Sequence, residues 1–296
     1  MQTLSTTLAA AIAAGNRQRC LFVFEDGTEF TDEDIVSSRG LQLTMMFNSE
    51  KELTIGLCPS AQIRFSLMND HRQLADFEFG TFTAYLGAKI TDGTPASGAV
   101  TRTFTENGVS CLYEFAPLGV FIVDRPDVVS KNMIEVSAND RMSLFDTEIT
   151  ATQRTALTSD NGKPTDLYEL AEALCGQDFA DVTLATTRQQ MLNNDLGITL
   201  TANQLEGRTL RDVLRWVAEA AGSIAVFNRQ GELEIRWFAT TTAEYDESKY
   251  SELAMSWYET QAITGLKVRN QNNSSETPYG TDFDNSYVIS GNPFLR

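Results

Sequence analysis

GRTLRDVLRWVAEAAG, residues 207–222, predicts an amphipathic helix with its own start and stop signals. Thr209 and Asp212 have the spacing of a capping box, in which a hydroxyl and a carboxylate each accept a hydrogen bond from a free N–H of the first turn. Apolar residues then recur every three or four positions, and Gly222 can adopt the left-handed backbone that ends a helix.

SIAVFNRQGELEIRWF, residues 223–238, predicts a hairpin directly after this helix. Two apolar runs flank Asn228-Arg-Gln-Gly231, and the glycine can take the positive φ that such turns require. The unit is therefore helix, strand, turn, strand. Its apolar positions serve packing, and it contains no catalytic constellation.

Alternating apolar and polar residues upstream predict half-buried antiparallel strands. The alternation covers residues 41–47, 53–57 and 63–67, and Asn107-Gly108 is a strong signal for a two-residue hairpin turn. Short strands separated by turns, with few helices, predict a barrel or a sandwich. The predicted fold class is α+β and mainly β, with a β-barrel-like domain over residues 1–149 that includes an N-terminal helix.

The series of alternating, strand-like segments ends near residue 150. A linker-like segment at 158–164 precedes a helical pattern that Thr165 can cap and that Gly176 closes. With the irregular region that follows and the helix before Gly222, residues 150–222 are predicted to form a small mixed α/β insertion beside the β domain.

Composition excludes several classes of protein. The 296 residues carry 23 Lys and Arg against 40 Asp and Glu, a net charge of −17, which disfavours sequence-specific binding to nucleic acid. No apolar run approaches the roughly 20 residues of a membrane span. The apolar run at 8–14 has no preceding Lys or Arg, which favours a short helix over the alternative of a cleaved signal peptide. Four widely spaced cysteines indicate buried thiols from a reducing cytoplasm rather than disulfides.

Candidate chemical sites are weak. His71 is the only histidine, and its polar surroundings predict an exposed loop residue. The carboxylates between Glu25 and Asp34 do not have the spacing of a calcium loop, so a solvated turn is predicted. The named nucleotide-binding, hydrolase and metalloprotease motifs are absent. We therefore expect no enzyme activity, no metal and no cofactor.

Aromatic residues leave two readings open. They cluster in the sequence at Phe77, Phe79, Phe82 and Tyr85, and again between Trp237 and Tyr258. Packing between β-strands is the favoured use, and a sugar-binding or protein-binding surface is the alternative.

Several phrases, taken in order, resemble the tail hub family, the baseplate hub or tail-associated proteins of phages and prophages of Gram-positive hosts. They are Pro117-Leu-Gly119-Val-Phe-Ile-Val, Ile134-Glu-Val-Ser-Ala-Asn-Asp140-Arg-Met142, Gly207-Arg-Thr-Leu-Arg-Asp-Val-Leu214, Asn228-Arg-Gln-Gly231-Glu-Leu, Ile263-Thr-Gly265, Tyr279-Gly280 and Asn292-Pro-Phe294. Their order and spacing carry the resemblance, which spans most of the chain from about residue 22.

The resemblance implies two β-barrel-like domains with smaller mixed α/β domains. Residues 223–296 are then expected to hold the hairpin that returns to the β domain and the start of a second, possibly truncated β-barrel-like domain. The resemblance also implies a non-catalytic role as a homotrimeric ring at the tail tip, in a virion tail assembled in the host cytoplasm. The implied partners are the distal tail protein, the tape measure protein and the receptor-binding or baseplate proteins.

Two further expectations follow from charge. If acidic residues line the channel of such a ring, they repel DNA, which then only passes through. Arg208, Arg211 and Arg215 lie largely off the apolar stripe of their helix, which makes them candidates for a subunit contact, although solvated helix charges are the alternative.

Two other functions remain open, a cell-wall carbohydrate-binding module and, less favoured, a glycan hydrolase using acidic residues.

Overall fold

The protein's computed structural model describes residues 4–36, 40–45, 55–69, 74, 77–91, 93–160, 162–237, 265–269, 276–280 and 292–294. The strands are β1 (Gln18–Phe24), β2 (Glu29–Thr31), β3 (Gln42–Met45), β4 (Ala61–Met68), β5 (Thr81–Lys89), β6 (Val100–Glu106), β7 (Val109–Ser130), β8 (Met133–Asp140), β9 (Ile224–Phe227), β10 (Leu233–Arg236), β11 (Gly265–Arg269) and β12 (Glu276–Gly280). The helices are α1 (Thr6–Ala13), α2 (Ala151–Thr158), α3 (Leu167–Cys175), α4 (Ala202–Leu205) and α5 (Leu210–Ala220), with a 3-10 helix at Arg141–Asp146.

Eight antiparallel strands form the large sheet, in the order β2-β1-β5-β7-β8-β4-β3, with β6 paired to β7. The segment after β2 returns to the opposite side of this sheet. Ile35 bridges Leu67 on β4, and Val36 donates from its N–H to the Ser66 carbonyl at 2.8 Å. Because this pairing joins the β2 side to β4, the sheet curls into a barrel. The predicted fold class, α+β and mainly β, is confirmed.

Aromatic rings fill the barrel interior. Phe22 on β1 stacks on Phe65 of β4 with ring centroids 4.3 Å apart, although three strands separate β1 from β4 in the sheet. Phe82 meets both rings edge-on. Phe77 and Phe79 pack at the end of the same core against Phe24. The prediction that Phe77, Phe79 and Phe82 serve packing is confirmed.

A second core lies among α2, α3, α4, α5, the 3-10 helix and the β9–β10 hairpin, which we call the helical unit. The predicted capping box of α5 is present, and Gly222 follows its end with φ +63°. The stripe Leu210, Val213, Leu214 and Val217 is fully buried, as predicted.

The β9–β10 hairpin packs within this helical core. Ala225 of β9 and Leu233 and Ile235 of β10 are buried in the same cluster as the α5 stripe. The predicted boundary between residues 222 and 223 therefore passes through a shared core, because the strands cover the apolar face of the helix that precedes them. The division of the chain into domains stays a prediction.

Three local predictions were wrong. Residues 55–57 form a turn rather than a strand, because Gly56 has φ +82° and its N–H donates to the Ser223 carbonyl in the helical unit. The two separate strands expected at 109–115 and 120–123 are one continuous β7, which runs through Pro117 because Leu118 forms a bulge opposite Ala84 and Tyr85. Asp166, not Thr165, caps α3, since its carboxylate accepts from the Glu169 N–H at 2.9 Å.

One helix was not predicted, and several predictions concern residues outside the described part of the chain. Helix α2 had no counterpart in the sequence prediction. His71 and the aromatic residues from Phe238 to Tyr258 lie outside the described residues. So does most of the predicted second barrel, of which the structure describes the antiparallel pair β11 and β12.

All four cysteines are buried free thiols, as predicted. Burial raises the pKa of the Cys175 thiol to about 12, which keeps it protonated and unreactive at neutral pH. Among the described residues, no helix combines the length and apolar character that crossing a bilayer requires.

Candidate subunit-contact surface

Of the three arginines that the sequence singled out, Arg211 and Arg215 lie on α5 and Arg208 directly precedes its N-cap, and their contacts differ. Arg208 and Arg215 are exposed, and the Arg208 guanidinium lies 5.6 Å from the centre of the Trp216 ring. Arg211 donates from Nη2 to the Asp146 carboxylate and to the Met142 carbonyl, each at 2.9 Å. Arg211 thus ties α5 to the 3-10 helix, and Arg208 and Arg215 remain the better candidates for a contact with another subunit.

The segment Asn292–Phe294 lies against the last turns of α5. Asn292 is 2% exposed, and its side-chain amide donates to the Trp216 carbonyl at 3.0 Å and to Glu219 Oε2 at 2.9 Å. Its Oδ1 accepts from the Phe294 N–H at 2.9 Å, and the Phe294 ring stands perpendicular to Trp216. Sequence analysis identified this tripeptide only as part of a resemblance and did not predict its position.

The turn at residues 55–57 also packs against the end of α5. A Cβ added to Gly56 would lie 2.8 Å from Glu219 Cβ, and the Ala225 N–H donates to the Leu57 carbonyl at 2.9 Å. The chain leading into β4 of the barrel is therefore bonded to the helical unit before the strand begins.

The opposite end of the barrel exposes apolar side chains. Val128 is 71% exposed, Val129 46% and Met68 44%. Met68 pairs with Met133 on β8, which in turn pairs with Ser130 on β7, so these residues share one end of the sheet. We call Met68, Val128 and Val129 the barrel-end patch. Exposed apolar side chains at one end of a sheet make this end a candidate contact surface.

An ionic cluster lies under the β6–β7 hairpin, and sequence analysis missed it. Arg19 on β1 is 3% exposed and bonds Glu33 at 2.8 Å and Asp32 at 3.2 Å. Its guanidinium lies 4.1 Å from the centre of the Phe104 ring and 3.5 Å from Glu106. A lone arginine at the start of an apolar strand, RCLFVF at 19–24, was the available signal, because a strand of that kind buries what it carries.

Glu106 is the centre of the same cluster. It accepts from the Tyr113 hydroxyl at 2.6 Å and contacts Lys89 at 3.1 Å and Arg17 at 3.0 Å. The Tyr113 hydrogen bond, opposed by burial and helped by Lys89 and Arg17, lowers the pKa of Glu106 to about 2. The acidic and basic groups offset one another, so the arrangement cross-links β1, β5 and the hairpin rather than leaving a charge free for chemistry.

The acidic turn that follows β1 is also internally satisfied. Asp26 accepts from Thr28, and Asp34 accepts from the Thr31 N–H at 2.8 Å. Glu29 forms a salt bridge with Arg102. Within the described part of the chain, no group of three or more acidic, histidine or cysteine side chains is placed to hold a metal ion.

A cavity of about 350 Å³, including open solvent, lies between the barrel and the β9–β10 hairpin. Its lining includes Met45, Phe227 and Arg236 with the buried Asp140. The Asp140 carboxylate accepts from the Ser60 hydroxyl at 2.7 Å and the Ala61 N–H at 2.9 Å. Burial raises the pKa of Asp140, against the effect of these bonds. Because its oxygens are committed to the protein, Asp140 joins β8 to the start of β4.

No protein-family model matches this sequence, and no curated protein matches it. Among solved structures, 89% of the chain aligns with 68% of the 43 kDa tail protein of prophage MuSo2 from Shewanella oneidensis. The sequence identity is 14% and the TM-score is 0.46.

Proposed function

We propose that this protein is a structural component of a phage or prophage tail tip. In this role it acts as a baseplate hub, and three copies form a ring that joins the tail tube to the host-contacting tip. The proposed action is assembly through packing surfaces, without catalysis and without a cofactor.

The observation that carries this proposal is where the hub-like sequence phrases lie in the fold. The phrase at 117–123 lies in β7, the phrase at 134–142 is β8 with the buried Asp140, and the phrase at 207–214 caps α5. Gly231 sits so close to β7 that a Cβ there would lie 2.7 Å from Val120 Cγ2. These four phrases therefore contain residues at contacts that join the barrel to the helical unit. This supports a similarity between the framework of this protein and that of the tail hub family.

Exposed surfaces support the assembly role. The barrel-end patch offers apolar area to a neighbour, and Arg208 and Arg215 offer positive charge on a chain of net charge −17. Opposite charges at the rim of a contact guide association more than they strengthen it. We propose the barrel-end patch as part of the contact between subunits or with the distal tail protein.

The carbohydrate-binding alternative is weaker than the sequence suggested. Of the residues that motivated it, Phe82 is buried in the barrel core, and Phe77 and Phe79 are partly buried with their rings packed against Phe24. The aromatic residues between Phe238 and Tyr258 lie outside the described part of the chain.

Native mass spectrometry of the full chain, alone and mixed with a distal tail protein of the same phage or prophage, tests the proposal. The expected species is a trimer, and negative-stain images should show a ring. A chain that stays monomeric at high concentration in both samples would contradict the proposal. A ring whose lumen is neutral or basic would contradict the expected repulsion of passing DNA.

Paired variants test the role of the patch. Val128→Asp should reduce trimer formation, because it places a charge in the proposed contact. Val109→Asp is the matched control, since Val109 is 62% exposed at the turn of the β6–β7 hairpin. Equal effects of the two substitutions would count against the patch.

A further inference from the structure

The end of α5 and the segment Asn292–Phe294 form a built contact rather than an incidental one. A polar side chain buried to 2% exposure is costly unless its hydrogen bonds are made. The Asn292 side chain makes three, to the Trp216 carbonyl, to Glu219 Oε2 and from the Phe294 N–H. Two of them are to α5, so the helix supplies acceptors at the two positions where this amide has donors.

The two acceptors on α5 favour asparagine over aspartate at position 292. Both partners on α5, a backbone carbonyl and a carboxylate, accept hydrogen bonds and cannot donate them. An aspartate at 292 would bring a second carboxylate to Glu219 and leave both acceptors without a donor. The contact therefore requires the amide group as a hydrogen-bond donor, and not only a side chain of this size.

The tripeptide is also prepared for binding. Pro293 restricts φ and has no N–H that burial would leave unpaired. The bond from the Phe294 N–H to Asn292 Oδ1 closes a turn within the segment, as asparagine side chains commonly do. A segment that is already turned loses little conformational entropy when it docks.

Phe294 adds the apolar part of the contact. Its ring centre lies 6.3 Å from that of Trp216 at an interplanar angle of 90°, an edge-to-face arrangement that aromatic pairs favour. The contact thus combines one buried, hydrogen-bonded amide with one aromatic side chain, a residue type that is enriched at protein interfaces.

We propose that the surface formed by Trp216 and Glu219 of α5 is a docking site for an Asn-Pro-Phe peptide, which the chain's own residues 292–294 occupy reversibly. The site holds the chain beyond the β9–β10 hairpin against the helical unit. A free peptide with the same tripeptide competes for the site. This inference does not depend on the tail-tip role.

The test measures binding of the fluorescent peptide Ser-Gly-Asn-Pro-Phe-Leu-Arg to the full chain by anisotropy. In wild type the attached segment competes at an effective concentration on the order of millimolar. In Asn292→Asp the site is vacated, so the peptide should bind at least about tenfold more tightly than it binds wild type. A peptide with Asp in place of Asn should bind neither chain.

A second substitution separates recognition from general damage. Glu219→Gln combined with Asn292→Asp provides an amide that can donate to the new carboxylate. The attached segment should then regain part of its docking, since the Trp216 carbonyl still lacks its donor, and binding of the wild-type peptide should fall below that of Asn292→Asp alone. Loss of packing alone would not be reversed by this change.

Phe294→Ala vacates the site by a different route and guards against misfolding of Asn292→Asp. Each variant is used if its thermal unfolding remains cooperative. In addition, the peptide should shift the Trp216 indole resonance of Asn292→Asp, because the attached segment no longer covers Trp216 in that variant. Equal peptide binding by wild type and both variants, or no binding by any of them, would overturn the docking site. Trimer formation is measured separately, so either proposal can fail alone.

Discussion

Gly231 gives the sharpest test of how the hairpin is joined to the barrel. Its φ is +77°, and a Cβ at this position would lie 2.7 Å from Val120 Cγ2 and 2.8 Å from Val120 Cβ. Val120 is on the central strand β7 and is buried, so it cannot move aside easily. The Gly231 carbonyl also accepts from Arg141 Nη1 at 3.2 Å, which holds the turn in place.

Gly231→Ala should destabilise the fold through two separate effects. An alanine in the left-handed region costs about 1–2 kcal/mol. Forcing a methyl group into a packed contact costs about a further 1–3 kcal/mol. The expected loss is therefore about 2–5 kcal/mol, which is a large part of the roughly 5–15 kcal/mol of a typical fold.

Gly222→Ala is the matched control. Gly222 has φ +63°, but a Cβ there would meet nothing within 4 Å. It should therefore lose only the backbone cost of about 1–2 kcal/mol. Urea unfolding at 25 °C, with the dependence on urea compared between the variants, measures both losses.

Val120→Ala tests whether the contact causes the difference. It removes the Cγ2 methyl at 2.7 Å but keeps the Cβ at 2.8 Å, so it relieves part of the contact and the combined variant should lose less than the sum of the two single losses. The reasoning is refuted if Gly231→Ala and Gly222→Ala lose the same stability, or if the losses of Gly231→Ala and Val120→Ala simply add.

Three shorter predictions test other parts of the fold. Glu106 has a lowered pKa, so its contribution to stability is present above about 4.5 and is lost as the pH falls toward about 2; Glu106→Gln should flatten that part of a pH titration of the unfolding midpoint, and an unchanged slope would contradict it. Thr209→Ala should cost about 1 kcal/mol in urea unfolding by removing the cap of α5, whereas Thr209→Ser should restore most of it. Cys175, buried with its pKa raised to about 12, should react with a thiol reagent only as fast as the helical unit opens, and rapid labelling of the folded chain would refute its burial.

Local patterns in the sequence predicted much of the secondary structure. The capping box at Thr209, the turn at Gly231 and the Asn107-Gly108 hairpin need only neighbouring residues, and each is present. The turn at Gly56 and the continuity of β7 were missed. Both depend on partners far away in the chain, Ser223 for the first and β5, against which β7 pairs through a bulge at Leu118, for the second.

The candidate contact surface was predictable only in part. The sequence placed Arg208, Arg211 and Arg215 off the apolar stripe, but it could not show that Arg211 reaches Asp146. It also gave no sign that Val128 and Val129 would be exposed, because strand residues of this kind are usually buried when a sheet face covers them. Exposure depends on where the sheet ends, which periodicity does not report.

The sequence by itself determined the mainly β class, the capped helix α5 and the hairpin that follows it, because caps, glycine turns and apolar periodicity act over a few residues. Only the tertiary structure decided that the sheet closes through Ile35 and Leu67, that Arg19 is buried in an ionic cluster, and that Asn292 docks on α5. Each of these contacts joins groups that are distant in the chain. Their stability depends on burial and on hydrogen bonds that exist only once the intervening chain has folded.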